Sequence, residues 1–297
     1  MAYRFRRKDR SVEDAIRRIA REQIRGAIAA IDGPADPDRV IHEVRKCCKR
    51  LRGLFRLVRP AFPAYAEENA AIRDMASLIG GLRDRKVMHD LLGKLAARHR
   101  KTLSGGGWNR IAKMLDTQCD AGDSEVDRVA LLAQCRDRLV QAGERASRGA
   151  MAADGWDAIA PGLVKTYARA RKAAASLDDD ADGHRHHELR KRVKYHLYHC
   201  QLLRPVAPDA MKAREKTAGR VSDLLGDHHD LMVLESHLRT LSDRATPIVE
   251  TETAIALTRN ARTRIEKLSI PLFDELLSVK PSALERYLAE SWASWRG

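Results

Sequence analysis

One basic amphipathic segment occurs twice in this chain, and the repeat constrains the fold more than any other sequence feature. In the first copy, IHEVRKCCKRLRGLFRLVRP at residues 41–60, the apolar residues fall within about 140° of one another on a helical wheel. This stripe is typical of a helix that packs on a core. The opposite face carries cationic or potentially cationic residues, namely His42, Arg45, Lys46, Lys49, Arg50, Arg52, Arg56 and Arg59. Such a face repels itself unless an anion lies on it.

The second copy, HELRKRVKYHLYHCQLLRP at residues 187–205, keeps the order of the charged residues. His187, Glu188, Arg190, Lys191, Lys194 and Pro205 stand 145 positions after His42, Glu43, Arg45, Lys46, Lys49 and Pro60. A later segment repeats with an offset of 146, and Leu78, Ile79, Gly80, Asp84 and Val87 match Leu224, Leu225, Gly226, Asp230 and Val233. Identities in the same order across two helices and the turn between them indicate an internal duplication.

The composition and the apolar periodicity predict an all-α protein. Of the 297 residues, 44% are hydrophobic and 5% are aromatic, and the apolar residues recur at helical spacing. Besides the two repeated helices, the pattern and its turn signals predict helices over residues 11–31, 64–79, 83–101, 127–153 and 156–177. We expect one domain over residues 1–297, built from two repeated halves at about 1–150 and 151–297.

The net charge of +14 attracts polyanions over a long range. Nucleic acid, anionic membrane and polyphosphate are the candidate partners. The five cysteines are odd in number and lack metal-ligand spacing, so we interpret them as reduced packing thiols of a cytosolic protein. The N-terminus is charged and no 18-residue apolar run occurs, which predicts a cytoplasmic protein without membrane insertion.

The sequence contains no nucleophile–base pair, no P-loop and no acidic cluster for Mg²⁺. We therefore expect no catalytic residues, no cofactor and no enzymatic activity. Asp84 and Asp230 each follow a predicted glycine turn, where N-capping or compensation of the helix dipole is the better interpretation.

The histidines offer two hypotheses. Potential metal ligands are His184, His186, His187, His196, His199, His228 and His229. We expect no metal site, because His42 and His187 lie among lysines and arginines that repel a cation. His196 and His199 fall on the apolar arc, where packed and hydrogen-bonded rings are expected. The second hypothesis is that His42 and His187 become charged near or below neutral pH and tighten anion binding.

The doubled H-E-x-R-K-x-x-K helix, the L-[IL]-G-x-x-x-D-x-x-V segment of each half and the opening Y-R-F-R-R…R-R-I-A resemble the CHAD family, the conserved histidine α-helical domains. The resemblance covers essentially the whole chain. It implies two helical-bundle halves related by pseudo-two-fold symmetry, with their basic helices facing a shared groove or pore. In that family the groove binds inorganic polyphosphate, and members are often associated with polyphosphate granules.

The resemblance also implies which residues bind. The family's basic positions fall on His42, Arg45, Lys49, Arg50, Arg52, His187, Arg190, Lys191 and Lys194, with Arg83 and His229 at equivalent positions near the groove. The basic faces of the same and neighbouring helices add Arg18, Arg21, Lys46, Arg56, Arg169 and Tyr198 as candidates. The first copy is the more basic, since Leu197 stands where the first copy has Arg52. We therefore expect the first copy to contribute more to binding.

Two other functions remain open. A nucleic-acid-binding protein would use the same groove for phosphodiesters, but the scarcity of aromatics among the basic residues disfavours single-strand stacking. The lack of Asn and Gln there disfavours base readout. The second alternative is that the chain is an accessory or regulatory partner of a phosphate-metabolising enzyme. Many relatives carry a triphosphate-tunnel catalytic domain with an E-x-E-x-K strand, and the nearest string here, ETETA at residues 250–254, lacks the lysine.

Overall fold

The computed structural model describes residues 3–80, 84–99, 111–113, 125–177, 183–244 and 249–297. The described residues contain no β-strand, which agrees with the all-α prediction. The helices are α1 (Val12–Ile31), α2 (Pro37–Leu57), α3 (Tyr65–Leu78), α4 (Asp84–Arg98), α5 (Glu125–Arg148), α6 (Gly155–Ala174), α7 (His184–Leu203), α8 (Pro208–Arg244), α9 (Val249–Leu277) and α10 (Pro281–Arg296). Among these helices, none has an apolar stretch long enough to cross a bilayer.

Local sequence sets the ends of the two repeated helices. Helix α2 begins four residues before the predicted start, because the Asp36 side chain accepts a hydrogen bond from the backbone N–H of Arg39 and Pro37 occupies the first turn. It ends at Leu57, before Pro60. Helix α7 likewise ends at Leu203, before the proline at 205, because proline has no backbone N–H with which to continue the hydrogen bonds of a helix.

Two hydrophobic clusters hold the helices together. The larger cluster takes the apolar stripes of α1, α2 and α7 together with residues of α3, α5, α6 and α10. The smaller cluster joins α4, Ile111, the second half of α8 and the start of α9. Helix α8 has 37 residues, a length of about 55 Å, and it belongs to both clusters: Met211, Ala218, Val221 and Leu225 lie in the larger, and Leu231, Leu234, Leu238 and Leu241 in the smaller.

The continuity of α8 corrects one prediction. Gly226 was expected to form a turn like that at Gly80, with Asp230 starting the next helix. Gly226 and Asp230 instead lie inside α8. The first copy has two consecutive glycines at this point, whereas the second has one, and a single glycine inside a helix costs only about 1 kcal/mol. Buried leucines on both sides of Gly226 stabilise the helix against that cost.

The N-terminal segment ties the two basic helices together. Tyr3 donates a hydrogen bond to the carbonyl oxygen of Arg50 in α2 at 2.7 Å, and its ring meets that of Tyr198 in α7 edge to face, with centroids 5.9 Å apart. The backbone N–H of Phe5 donates to the carbonyl oxygen of Leu202, also in α7. The aromatic residues of the opening motif are therefore core residues.

Helices α2 and α7 meet at Gly53. A Cβ atom at this position would lie 2.9 Å from Cβ and Cδ2 of Tyr198, so only glycine lets the two helices approach this closely. Gly53 and Tyr198 are 145 positions apart, which is the offset of the sequence repeat. The contact therefore joins equivalent positions of the two copies.

Helix α6 crosses the end of α2 even more closely. A Cβ atom on Gly162 would lie 1.8 Å from the carbonyl oxygen of Leu57. Backbone packs directly on backbone here, so the clash that a larger residue would make could not be relieved by rotation of a side chain.

Gly162→Ala should therefore lower the free energy of unfolding by about 3 kcal/mol or more, the upper range for overpacked positions. Urea denaturation followed by circular dichroism measures this loss. Gly219→Ala is the matched control, because this glycine lies inside α8 with no atom within 4 Å of the added Cβ. It should stabilise the protein by about 0.5–1 kcal/mol. Equal stability of the two variants would contradict the proposed backbone contact.

Candidate anion-binding site

Basic residues of α2 and α7 line one cavity of about 230 Å³. Its walls are His42, Arg45, Lys46, Lys49 and Arg50 from α2, and Lys194, Leu197, Tyr198 and Gln201 from α7. We call it the α2–α7 cavity. Among the described residues, none of those that line it carries a carboxylate. His42 and Lys49 are exposed, so the cavity is open to solvent.

Neutral oxygens hold the arginines of α2 in place. Nη1 of Arg45 donates to the carbonyl oxygens of Ile79 at 3.1 Å and Gly80 at 2.8 Å, just beyond the end of α3. Nη1 of Arg50 donates to Oε1 of Gln23 at 3.0 Å. These bonds satisfy part of each guanidinium without neutralising it, so both positions and both charges are preserved.

Arg52 and Arg56 turn away from the cavity toward α3. Both donate to Oδ1 of Asn69, at 3.3 Å and 2.7 Å. The guanidinium of Arg56 also lies over the ring of Tyr195, 4.0 Å from its centroid, which is a cation–π contact. These two predicted binding residues form a second basic group beside the cavity and do not line it.

The acidic residue of each repeated motif pairs with a lysine one turn on. Nζ of Lys46 lies 3.0 Å from Oε2 of Glu43. Lys191 and Glu188 form the same pair in the second copy, and Arg192 joins them at 3.0 Å. Lys46 and Lys191 are thus partly neutralised.

The second copy places a histidine pair on its cationic face. The rings of His187 in α7 and His229 in α8 have centroids 4.3 Å apart. Burial, together with the neighbouring charges of His229, Lys191 and Arg190, lowers the pKa of His187 to about 4. The ring is therefore neutral between pH 6 and 8 in the free protein. For His187, charging near neutral pH would need a bound anion to raise the pKa.

The repeated arginines contact equivalent segments. Arg45 bonds to Gly80 in the first copy. In the second copy Arg190 packs beside Gly226, and a Cβ atom added to Gly226 would lie 3.2 Å from its Nη2. Lys194 follows one turn after Arg190 and reaches the α2–α7 cavity. Burial lowers the pKa of Lys194, and the nearby Asp223 opposes this shift.

Three predicted binding residues lie elsewhere. Arg18 pairs with Asp9 at 2.7 Å and Glu22 at 3.3 Å, so it fastens the N-terminal segment to α1. Arg21 lines a different cavity, between α1 and α5. Arg169 is exposed on α6, near Arg59. Arg83 lies outside the described residues. The basic face of α1 looked equivalent to that of α2 in the sequence, and only tertiary contacts distinguish them.

Tyr198 lines the cavity but is only 6% exposed. The sequence predicted it on the cationic face. The facing position is Gly53, whose missing side chain leaves room for the ring. Burial raises the pKa of Tyr198 to about 12, so its hydroxyl stays protonated and can donate a hydrogen bond.

His196 and His199 are buried, as predicted, at 1% and 0% exposure. Nε2 of His199 donates to the carbonyl oxygen of Gly53 at 3.1 Å, and Nε of Arg214 donates to Nε2 of His196 at 3.3 Å. The cysteines described by the structure, Cys47, Cys48, Cys135 and Cys200, are free and buried, which agrees with their interpretation as packing thiols. Cys119 lies outside the described residues.

Several residues that shape the site gave no signal in the sequence. Gln23 and Asn69 position three of the arginines, yet they lie on helices with no motif around them. Glu266 lies with His186 and His228 in a group whose ligand atoms are within 4.8 Å of one another. This group is suited to a metal ion, and its members come from three different helices.

The helices and the cavity define an all-helical protein with a cationic surface between two basic helices. The chain belongs to the CHAD domain family, because the model of the CHAD domain matches residues 15–239. No curated protein matches the chain. Two solved structures share the fold. PptA from Streptomyces chartreusis is 13% identical over 90% of this chain and 99% of its own, with a TM-score of 0.62. The CHAD domain from the plant Ricinus communis is 19% identical over 97% and 96%, with a TM-score of 0.57.

The buried histidines should make the protein sensitive to acid. Burial lowers the pKa of His199 to about 3, whereas the unfolded chain titrates near its ordinary value of about 6.5. Between these values the unfolded state binds more protons, so the stabilisation present above pH 6.5 is lost as the pH falls, by up to about 1.4 kcal/mol per pH unit. His199→Gln keeps a donor for Gly53 and should reduce the fall in melting temperature between pH 7 and pH 5.

Circular dichroism melts at matched ionic strength measure this difference. His184→Gln removes an exposed histidine from the same helix and should leave the pH dependence unchanged. If the wild type and His199→Gln lose the same stability on acidification, the buried ring does not set the acid response.

Proposed function

We propose that this protein binds inorganic polyphosphate in the α2–α7 cavity by electrostatic capture, without catalysing a reaction. The two basic helices would act as equivalent walls of one groove, related by an approximate two-fold axis near Gly53. Binding of this kind would place the protein on polyphosphate granules, where it would organise the polymer or bring polyphosphate-metabolising enzymes to it. In this proposal the whole chain, residues 1–297, forms one domain.

One observation carries the proposal: cationic side chains of both basic helices converge on the α2–α7 cavity. Arg45 and Arg50 are held by carbonyl and amide oxygens, and Lys49 and Lys194 join them. Like charges that are crowded in one place repel one another, and a bound polyanion offsets the repulsion. Because the donors are already positioned, little side-chain entropy is lost on binding.

The chemistry of the cavity suits phosphate oxygens. Guanidinium groups give paired hydrogen bonds to phosphate, and lysines supply point charges. The protonated hydroxyl of Tyr198 adds a neutral donor at the wall. Basic groups continue along α7 through Arg190 to His187, which supports a binding path longer than a single phosphate.

The geometry gives less support to nucleic acid. Stacking needs exposed aromatic faces, but Tyr198 is buried against Gly53, and Tyr195 is covered by Arg56. The amide of Gln201 binds Glu215 and is therefore engaged. A polymer of phosphates without bases matches this surface better.

Competition at fixed salt tests the ligand class. Labelled long-chain polyphosphate should be displaced by unlabelled polyphosphate at far lower phosphate concentration than by DNA, RNA or short phosphates, and fluorescence anisotropy reports the displacement. Affinity should fall steeply with added salt, because each phosphate contact releases counterions. Displacement by nucleic acid at the same phosphate concentration would overturn the polyphosphate assignment.

Charge-neutralising variants test the place of binding. Lys49→Gln and Lys194→Gln should each weaken polyphosphate binding about tenfold at low salt, equivalent to about 1.4 kcal/mol, with the larger loss for Lys49 because α2 supplies most of the cavity's charge. Lysines suit this test better than Arg45, whose bonds to the end of α3 also stabilise the fold.

Lys267→Gln provides the matched control, since it removes the same charge from an exposed position on α9. It should change the affinity less than twofold, because Lys267 does not line the α2–α7 cavity and an exposed charge is screened by salt. All three variants should keep the helical circular dichroism spectrum. Unchanged affinity in the Lys49→Gln, Lys194→Gln double variant would place binding outside the α2–α7 cavity.

A further inference from the structure

A second pair of stacked histidines lies next to His187 and His229. His186 in α7 and His228 in α8 are 8% and 1% exposed, and their ring centroids are 4.5 Å apart with planes at 26°. Each is the chain neighbour of a member of the first pair. The two pairs therefore form successive steps between the same two helices.

The two pairs differ in the charge that surrounds them. His187 lies near His229, Lys191 and Arg190, which oppose a cation there more strongly than the nearby Glu188 favours it. His228 instead donates from Nε2 to Oε1 of Glu266 in α9 at 2.8 Å. The carboxylate is partly exposed, with 30% side-chain accessibility, so water reaches one side of the group.

We propose that His186, His228 and Glu266 form a binding site for one divalent transition-metal ion, with Zn²⁺ as the best match. This site lies outside the α2–α7 cavity. The sequence predicted no metal site because of the charges around His42 and His187, and that prediction did not consider Glu266. Two imidazole nitrogens and one carboxylate are a ligand set that Zn²⁺ and non-haem Fe²⁺ take in proteins, with positions left open for water or another oxygen ligand.

The distances require only small side-chain movements. The three ligand atoms lie within 4.8 Å of one another, whereas tetrahedral Zn²⁺ at about 2.1 Å from each ligand needs them about 3.4 Å apart. The ligand atoms of Glu266 and His228, now 2.8 Å apart, would separate by about 0.6 Å, and that of His186 would approach by at most about 1.4 Å. The metal would replace the proton that His228 and Glu266 share in the free protein.

One neighbouring charge opposes the metal. Nε of Arg262 lies 3.5 Å from Nε2 of His228. Its Nη1 is bound by Oε2 of Glu235 at 2.9 Å, so the guanidinium is partly neutralised and held back by a buried carboxylate. Gly183 brings the chain close at the same place, since an added Cβ would lie 3.3 Å from Cε1 of His228. The site is thus enclosed on one side and open at Glu266.

A metal ion here would join α7, α8 and α9 through one bond to each. Ligands from three helices are far apart in the unfolded chain, so binding stabilises the folded state by mass action. The melting temperature of the metal-free protein should rise on addition of Zn²⁺.

Isothermal titration of the tag-free, chelator-treated full chain with Zn²⁺, in the absence of any phosphate, tests the site. We expect one ion per chain with micromolar or tighter affinity. Glu266→Gln should weaken binding by about tenfold or more and abolish the rise in melting temperature. His229→Asn removes the next residue on α8 and should leave the affinity within twofold of wild type, because His229 is not one of the three grouped ligands.

Absence of saturable one-to-one binding in the wild type, or equal binding by Glu266→Gln, would overturn the proposal. If Glu266→Gln does not fold by circular dichroism, Co²⁺ titration of the wild type decides instead. A low-symmetry nitrogen and oxygen site gives intense visible absorption, whereas Co²⁺ that remains hexahydrated stays weakly coloured and would also overturn the site. Because no phosphate is present, these outcomes are independent of polyphosphate binding.

Discussion

The buried hydrogen bond from His199 to the carbonyl oxygen of Gly53 holds together the two helices on which the rest of the structure depends. It lies where the absence of a side chain on Gly53 lets Tyr198 fill the interface. The apolar stripes of both helices enter one core, and residues from both basic faces line the α2–α7 cavity. The position of this cavity is thus linked to the close packing of the two helices at Gly53.

The arginines of α1 and α2 differ in the hydrogen-bond partners that the structure gives them. Arg18 pairs with the carboxylates of Asp9 and Glu22, which neutralise its charge within the fold. Arg45 and Arg50 bond to neutral oxygens, so their orientation is fixed while their field still reaches solvent. Both groups look alike in the sequence, because a basic residue at helical spacing gives no indication of what it will meet.

The periodicity and the repeat were sufficient to predict helices α1 to α7, the core stripe of α2 and the residues that share its cationic face. They also predicted buried His196 and His199, because both fall on the apolar arc. The features that the sequence did not predict correctly depend on tertiary contacts. The expected turn at Gly226 is absent because leucines on both sides extend α8 through it. The anchors Gln23 and Asn69 and the acid Glu266 lie on other helices than the residues they contact, and no local pattern encodes how those helices approach one another.

Helix α8 connects two hydrophobic clusters, with its first half in one and its second half in the other. Opening of the smaller cluster would expose the second half of α8 and the start of α9 while leaving the core beneath α2 and α7 packed. Native-state fluctuations therefore have a natural boundary near Gly226, where the helix carries no side chain to couple the two parts. We therefore expect the two hydrophobic clusters to behave as separate cooperative units joined by α8. The α2–α7 cavity belongs to the unit with the larger core.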